Sequence, residues 1–181
     1  MALLQSRTAL ITEATTALGL AIAERFVKEG ASLFLCSPQQ SALEASLVKL
    51  EPLLTKGQRI LTQRVDSASR QSIAQLLAFC ADRFQRLDYV LSPTSRDPLT
   101  QQLIARMKQQ QSGKLIILSG SEPIRALSLE LAPFHIDANA IHVEGPPAQT
   151  AELAVFLAST ASNGISGTLY SAPRRRLPDP V

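Results

Sequence analysis

The stretch Ala9-Leu10-Ile11-Thr12-Glu13-Ala14-Thr15-Thr16-Ala17-Leu18-Gly19-Leu20 decides the fold. A short apolar run gives way to a turn of small residues. The turn opens into a run that sets Leu18, Ala21, Ile22 and Phe26 on one helical face before Gly30 stops it. A buried strand feeding a helix through such a turn is the frame of a dinucleotide-binding βα unit, in which the helix N-terminus faces a pyrophosphate. In a G-x-x-x-G-x-G form of the turn, glycines let the backbone approach phosphate. Here Glu13, Ala17 and Gly19 stand at the three glycine places, so the frame is present and two of its glycines are replaced.

Outward from this unit, apolar runs and helical periodicities alternate. The first strand covers residues 8–12 and its helix 17–28. The second strand, 32–36, is almost wholly apolar, as in a parallel strand buried on both faces. A helix over 41–54 and a strand over 59–65 follow. Over 69–84 Ile73, Leu76, Leu77, Cys80 and Phe84 fall at helical spacing, with Ser67 or Ser69 as cap. Next come a strand at 89–92, a helix at 99–111 ending at Gln111 before Gly113, and a strand at 114–118. A short helix at 124–131 precedes Pro133, a strand covers 136–143, a helix covers 151–158, and residues 167–171 supply a seventh strand. This order predicts an α/β fold: a three-layer, Rossmann-like doubly wound parallel sheet of six or seven strands, in one domain over residues 1–172. Residues 173–181 hold three prolines and three arginines and read as a flexible basic tail.

Composition narrows the class. Of 181 residues, 45% are hydrophobic and 18% charged, which is globular, and no apolar run approaches the ~20 residues of a membrane span. The formal charge of +3 equals what Arg174, Arg175 and Arg176 supply, so the rest of the chain is near neutral and no nucleic-acid footprint is expected. The start, Met1 to Gln5, lacks the features of a signal peptide, which makes a cytoplasmic location the expectation. Cys36 and Cys80 then read as free thiols, Cys36 as a core residue at a strand end. His135 and His142, seven apart along strand six, face opposite sides, so no metal site is expected.

Taken in order, Arg7-Thr8-Ala9-Leu10-Ile11-Thr12, Asp66 after strand three, Leu87-Asp88-Tyr89-Val90-Leu91, Gly113-Lys114-Leu115-Ile116-Ile117-Leu118-Ser119, Leu127-Ser128-Leu129-Glu130-Leu131-Ala132-Pro133, Ile136-Asp137-Ala138-Asn139-Ala140-Ile141 and Phe156-Leu157-Ala158-Ser159 with Gly164-Ile165-Ser166-Gly167 resemble the short-chain dehydrogenase/reductase family. The resemblance implies an NAD(P) cleft at the carboxyl ends of the strands and an oligomer built on the helices after strands four and five. Its cofactor cleft maps onto Thr12, Glu13, Ala17, Gly19, Cys36, Asp66 and Ser92. At those positions the sequence departs from the family. Glu13 sets a carboxylate where a pyrophosphate would lie, and Cys36-Ser37-Pro38 offers neither the ribose-binding acid nor the arginine for a 2′-phosphate. Ser92-Pro93-Thr94-Ser95 replaces an Asn-Asn-Ala-Gly-like turn, while Asp66 matches the residue that touches the adenine.

The family's hydride chemistry uses a Ser after strand five and a Tyr-x-x-x-Lys pair in which the Lys lowers the Tyr pKa. Four residues beyond Tyr89 and Tyr170 lie Pro93 and Arg174, and no lysine follows Lys114. Gly120, between Ser119 and Ser121, takes the place of the Ser, and Glu144-Gly145-Pro146-Pro147 is all that follows strand six before the next helix. Three readings result. One is a pseudoenzyme without hydride transfer and without a bound cofactor, acting as a binding or partner protein. The second is a non-redox isomerase, dehydratase or cyclase using Glu13, Ser119, His142 or Glu144 as acid and base in the vacated cleft. The third is an atypical NAD(P)-dependent oxidoreductase. Apolar residues Leu99, Leu103, Ile104 and Met107 on the helix at 99–111, with those of Ile124–Leu131, lead to the expectation of a second copy or a dedicated protein partner on that side.

Overall fold

The computed structural model describes residues 2–84 and 86–171, so the tail expected at 173–181 lies outside the described residues. Strands β1 (Thr8–Ile11), β2 (Ser32–Ser37), β3 (Ile60–Arg64), β4 (Tyr89–Ser92), β5 (Gly113–Ile117), β6 (Ile136–His142) and β7 (Leu169–Ser171) alternate with helices α1 (Ala17–Lys28), α2 (Gln40–Leu50), α3 (Arg70–Arg83), α4 (Pro98–Gln110), α5 (Ile124–Leu131) and α6 (Pro147–Ala158). The strands form one seven-stranded sheet in the order β3-β2-β1-β4-β5-β6-β7. Every pairing is parallel. The sheet reverses its direction of growth between β1 and β4, and in such sheets ligands bind outside the carboxyl ends of the strands at that reversal.

Period-two alternation divides the core in two. Ala9 and Ile11 of β1, with Leu33 and Leu35 of β2, join Ile22, Phe26 and Ala154 in the layer of α1 and α6. Leu10 and Phe34, between them in sequence, face Leu76, Leu103, Met107 and Leu131 in the layer of α3, α4 and α5. Both faces of these strands are buried, which is why their sequences are unbroken apolar runs.

Two helices differ from the sequence expectation, and proline explains both. The helix expected over 41–54 ends at Leu50, and a single 3-10 turn covers Glu51–Leu53. Pro52 has no N–H to continue the α-helical ladder. The helix expected at 151 begins at Pro147, four residues earlier. Proline suits the first helical position, where its fixed φ fits and its missing N–H costs nothing, so Pro146-Pro147 starts α6 instead of delaying it.

At the opposite end of the sheet Asp88 ties β1 to β4. Its buried carboxylate accepts the Thr8 amide at 2.9 Å, Arg7 Nη1 at 3.0 Å and Arg86 Nε at 2.9 Å. The contact joins two strands separated by 80 residues and fixes the register of the sheet centre.

Candidate functional site

The β1–α1 turn must carry the chain from the middle of the sheet into a helix within five residues. Thr12 stays in the sheet, its amide donating to the Leu91 carbonyl at 3.0 Å. Glu13 then takes φ +51°, in the left-handed region. A residue with a Cβ pays about 1–2 kcal/mol for that conformation, so the glycine-to-glutamate exchange stores strain in the turn. Ala14 is buried and its amide donates to the Cys36 carbonyl at 3.2 Å. Thr16 caps α1: its hydroxyl donates to the Glu13 carbonyl at 3.1 Å and accepts from the Gly19 amide at 3.0 Å. The cap therefore engages the Gly19 amide within the turn itself. Gly19 has a steric reason to be glycine, because a Cβ there would lie 2.5 Å from the Glu13 carbonyl oxygen.

Beyond the carboxyl ends of β1, β2 and β3 lies a hollow of about 220 Å³ walled by Thr12, Glu13, Cys36, Ser37, Asp66 and Asp97, with Pro93 and Thr94 on its far side. It gathers four of the seven cleft positions drawn from the resemblance: Thr12, Glu13, Cys36 and Asp66. Three carboxylates border it, and no lysine or arginine among the described residues does. Two of the three are engaged: Asp97 caps α4 through the Leu99 and Thr100 amides, and Asp66 accepts the Ala68 amide at 2.9 Å. Thr15 and Ser37 hydroxyls meet at 2.9 Å across the mouth of the first turn. Cys36 has no solvent exposure, its thiol donates toward the Ile11 carbonyl at 3.6 Å, and burial pushes its pKa far above the ordinary thiol range. That environment makes it inert.

The other three cleft positions stand apart from this hollow. Ala17 opens α1 and is exposed, and Gly19 lies beneath the turn. Ser92 is buried, its hydroxyl donating to the Thr94 carbonyl at 3.0 Å and sharing a hydrogen bond with Thr100 Oγ1 at 2.7 Å.

Glu122 is the residue that sequence reasoning missed. Its side chain, only 6% exposed, accepts from the Thr94 hydroxyl, from the Ser95 amide at 3.1 Å and from the Ser95 hydroxyl at 2.9 Å, with Arg96 Nε at 3.9 Å. It bolts the segment after β5 to the segment after β4. Burial alone would raise its carboxyl, but the bonds from Thr94 and Ser95 and the charge of Arg96 outweigh burial and hold it below the usual value. The available signal was a lone acid between Ser119 and Ile124, facing a hydroxyl-rich Thr94-Ser95.

At the carboxyl ends of β5 and β6 a second group forms. His142 Nε2 and Glu144 Oε1 lie 2.8 Å apart, and Ser119 and Ser121 hydroxyls meet at 3.0 Å. Gly120 packs against the imidazole so closely that a Cβ would fall 2.0 Å from His142 Nδ1. His142 and Glu144 are thus brought together against Gly120, the residue between Ser119 and Ser121, while Glu13 borders the separate hollow at β1 to β3. Tyr89 starts β4 at the amino end, edge-on to Phe26, whereas Tyr170 lies on β7 opposite Ile141, the residue before His142, with its ring packed against Phe156 of α6. Burial raises Tyr89 to about 12. Lys114, at the amino end of β5, donates to the Ser159 carbonyl at 2.6 Å and to Ser162 Oγ at 2.8 Å.

The sheet order, its helical layers and the crevice at the strand carboxyl ends define a Rossmann-type α/β protein. The short chain dehydrogenase family profile matches residues 7–96, and the chain belongs to the short-chain dehydrogenase/reductase family. Solved structures of similar fold include a short chain dehydrogenase from Mycobacterium smegmatis, 18% identical with a TM-score of 0.82 over 98% of this chain and 95% of that one. Hydroxysteroid dehydrogenase from Escherichia coli is 20% identical, with a TM-score of 0.80 over 93% and 96%. NAD+-bound xylitol dehydrogenase is 15% identical, with a TM-score of 0.80 over 93% and 98%. No curated protein sequence matches the chain.

Two outcomes follow from this geometry. Glu13→Gly relieves the left-handed strain and raises stability by about 1 kcal/mol, a rise in Tm of roughly 2–4 °C by calorimetry. Glu122→Gln costs about 1–2 kcal/mol near neutral pH in urea unfolding. Because the folded-state pKa of Glu122 is depressed, its contribution is present above the ordinary carboxylate range and is lost as pH falls through the folded value, so the difference between parent and variant shrinks in acid.

Proposed function

We propose that this chain is a non-catalytic member of its family, without NAD(P)-dependent hydride transfer, that works as a binding or partner protein. The observation that carries the reading is the hollow at the strand carboxyl ends, bordered by Glu13, Asp66 and Asp97 and by no cationic side chain among the described residues. A pyrophosphate brought to about 4 Å from the Glu13 carboxylate meets repulsion of roughly 4 kcal/mol near a protein surface. The turn's own hydrogen bonds through Thr16 add to this, since its Gly19 amide is already taken. The tyrosine that would pass a proton to a carbonyl substrate has no counterpart of that kind here: Tyr89 lies at the amino end of β4, and the Tyr170 ring packs against Phe156 of α6.

A second reading is favoured by one observation, the His142–Glu144 contact at 2.8 Å with Gly120 packed against the imidazole. An imidazole held by a carboxylate is a usable general base, and a non-redox isomerase, dehydratase or cyclase would employ it there. On the partner side, the apolar residues of α4 and α5 already fill the domain's own core, and Leu129 is the large apolar side chain these helices expose, at 70%. Association through this face therefore centres on Leu129.

Titration with NADH and NADPH, followed by cofactor fluorescence and calorimetry, tests the main reading. The expected result is no saturable binding at about 1 mM, the affinity scale of ~4 kcal/mol, and no NAD(P)H turnover with carbonyl substrates. Saturable binding with turnover that is abolished by a change at Thr12 or Asp66 would overturn it and leave an atypical oxidoreductase.

A further inference from the structure

The end of the sheet away from the crevice carries an arrangement that this function does not use. Four arginines converge there from distant parts of the sequence: Arg7 before β1, Arg59 before β3, Arg83 at the end of α3 and Arg86 before β4. They line one hollow of about 440 Å³ together with Asp82 and Asp88. Four guanidiniums thus face two carboxylates, and the carboxylates are shared unevenly. The single buried Asp88 side chain serves both Arg7, at 3.0 Å, and Arg86, at 2.9 Å, while also holding the Thr8 amide. Arg83 pairs with Asp82 at 3.0 Å, where both side chains are more than half exposed and the attraction is weak.

Arg59 has no carboxylate partner among the described residues. Its guanidinium stacks over the Phe84 ring at 4.4 Å and donates to the Arg83 carbonyl. A ring face and a carbonyl orient a guanidinium without neutralising it. The fork is therefore held in place with its charge uncompensated, at the rim of a polar hollow. The C-terminal end of α3 accounts for one arginine there, since cations suit a helix carboxyl end, but not for four. The adjoining hollow on the same end adds Lys114 and His135 against one further acid, Asp137.

We infer that the hollow between Arg7, Arg59, Arg83 and Arg86 binds a small phosphorylated ligand through a phosphate or pyrophosphate group. Guanidinium forks match phosphate oxygens two at a time, and an excess of two positive charges suits a compact dianion better than a neutral or singly charged ligand. The arginines stand at or within three residues of the ends of β1, β3, β4 and α3, so the parallel sheet brings all four to one hollow. The arginines are interleaved with Asp82 and Asp88, which suits a small anion better than nucleic acid, whose binding needs an extended stripe of uncompensated basic residues. The site stands at the amino ends of the strands, remote from the acidic hollow at their carboxyl ends, and the two are independent.

Inorganic pyrophosphate titrated into the full chain at low salt, read by calorimetry and by phosphorus NMR, tests the inference. The expected result is one equivalent bound, with affinity reduced about tenfold or more by the double substitution Arg59→Gln and Arg83→Gln. Asp82→Asn frees Arg83 from its partner and is expected to tighten binding about twofold, a gain that misfolding cannot produce. Arg64→Gln, which removes one charge at the carboxyl end of β3, leaves the affinity within about twofold. Absence of saturation at about 10 mM pyrophosphate, or equal weakening by Arg64→Gln, overturns the site. Tighter binding of a short single-stranded oligonucleotide than of pyrophosphate would also overturn it, by assigning the arginines to a nucleic-acid surface. So would binding that ignores the arginines and strengthens with Glu13→Gly, because the anion would then lie at the β1–α1 turn.

Discussion

The β1–α1 turn is the constraint on which the rest of the molecule depends. β1 and β4 occupy the middle of the sheet, and α1 must leave β1 and fold back at once to cover one face. Only a reversal between Thr12 and Ala17 lets Ile22, Phe26 and Val27 reach the buried side of the strands. The turn meets that demand with Glu13 in a left-handed conformation, Ala14 buried against β2 and Gly19 in a space that admits no Cβ. Strain of about 1–2 kcal/mol at Glu13 is tolerated because a whole layer of helix packing rests on the geometry it permits.

The same turn keeps its backbone path with a different side chain at its strained position. A glycine at position 13 would offer a close, uncharged backbone to phosphate. Glutamate keeps the backbone path and replaces that surface with a carboxylate. Around it, polar groups are joined to one another: Thr15 to Ser37, Thr16 to Gly19, Ser92 to Thr100, and Glu122 to Thr94 and Ser95. These contacts fix the connections after β1, β4 and β5 in one arrangement. The cohesion of these connections rests on hydroxyls and one buried carboxylate.

Charge is distributed along the strands in the opposite sense. The carboxyl-end hollow is acidic and the amino-end hollow is basic, although the chain outside its last residues is close to neutral. In a parallel sheet all strand starts fall at one end, so residues that precede β1, β3 and β4 in sequence become neighbours in space. Asp88 is the single buried acid among them, and its bond to the Thr8 amide makes it part of the sheet's register as well as of its electrostatics.

The sequence by itself determined the layer order. Unbroken apolar strands, periodic helices and strict alternation have one compact solution, a parallel sheet covered on both faces, and the expected strands fell within a residue or two of the observed ones. The resemblance named seven cleft positions, of which Thr12, Glu13, Cys36 and Asp66 border one hollow, because strand carboxyl ends gather in such a sheet, while Ala17, Gly19 and Ser92 do not line it. Tertiary structure alone decided which side chains answer one another. That Glu122 reaches across to Thr94 and Ser95, that His142 meets Glu144 against Gly120, and that four arginines from residues 7 to 86 share a hollow depend on connections after the strands and on strand order. Spacing along the chain carries no record of those distances. Pro146-Pro147 marks the same limit locally: as sequence it reads as a break, and only the backbone entering α6 makes it a beginning.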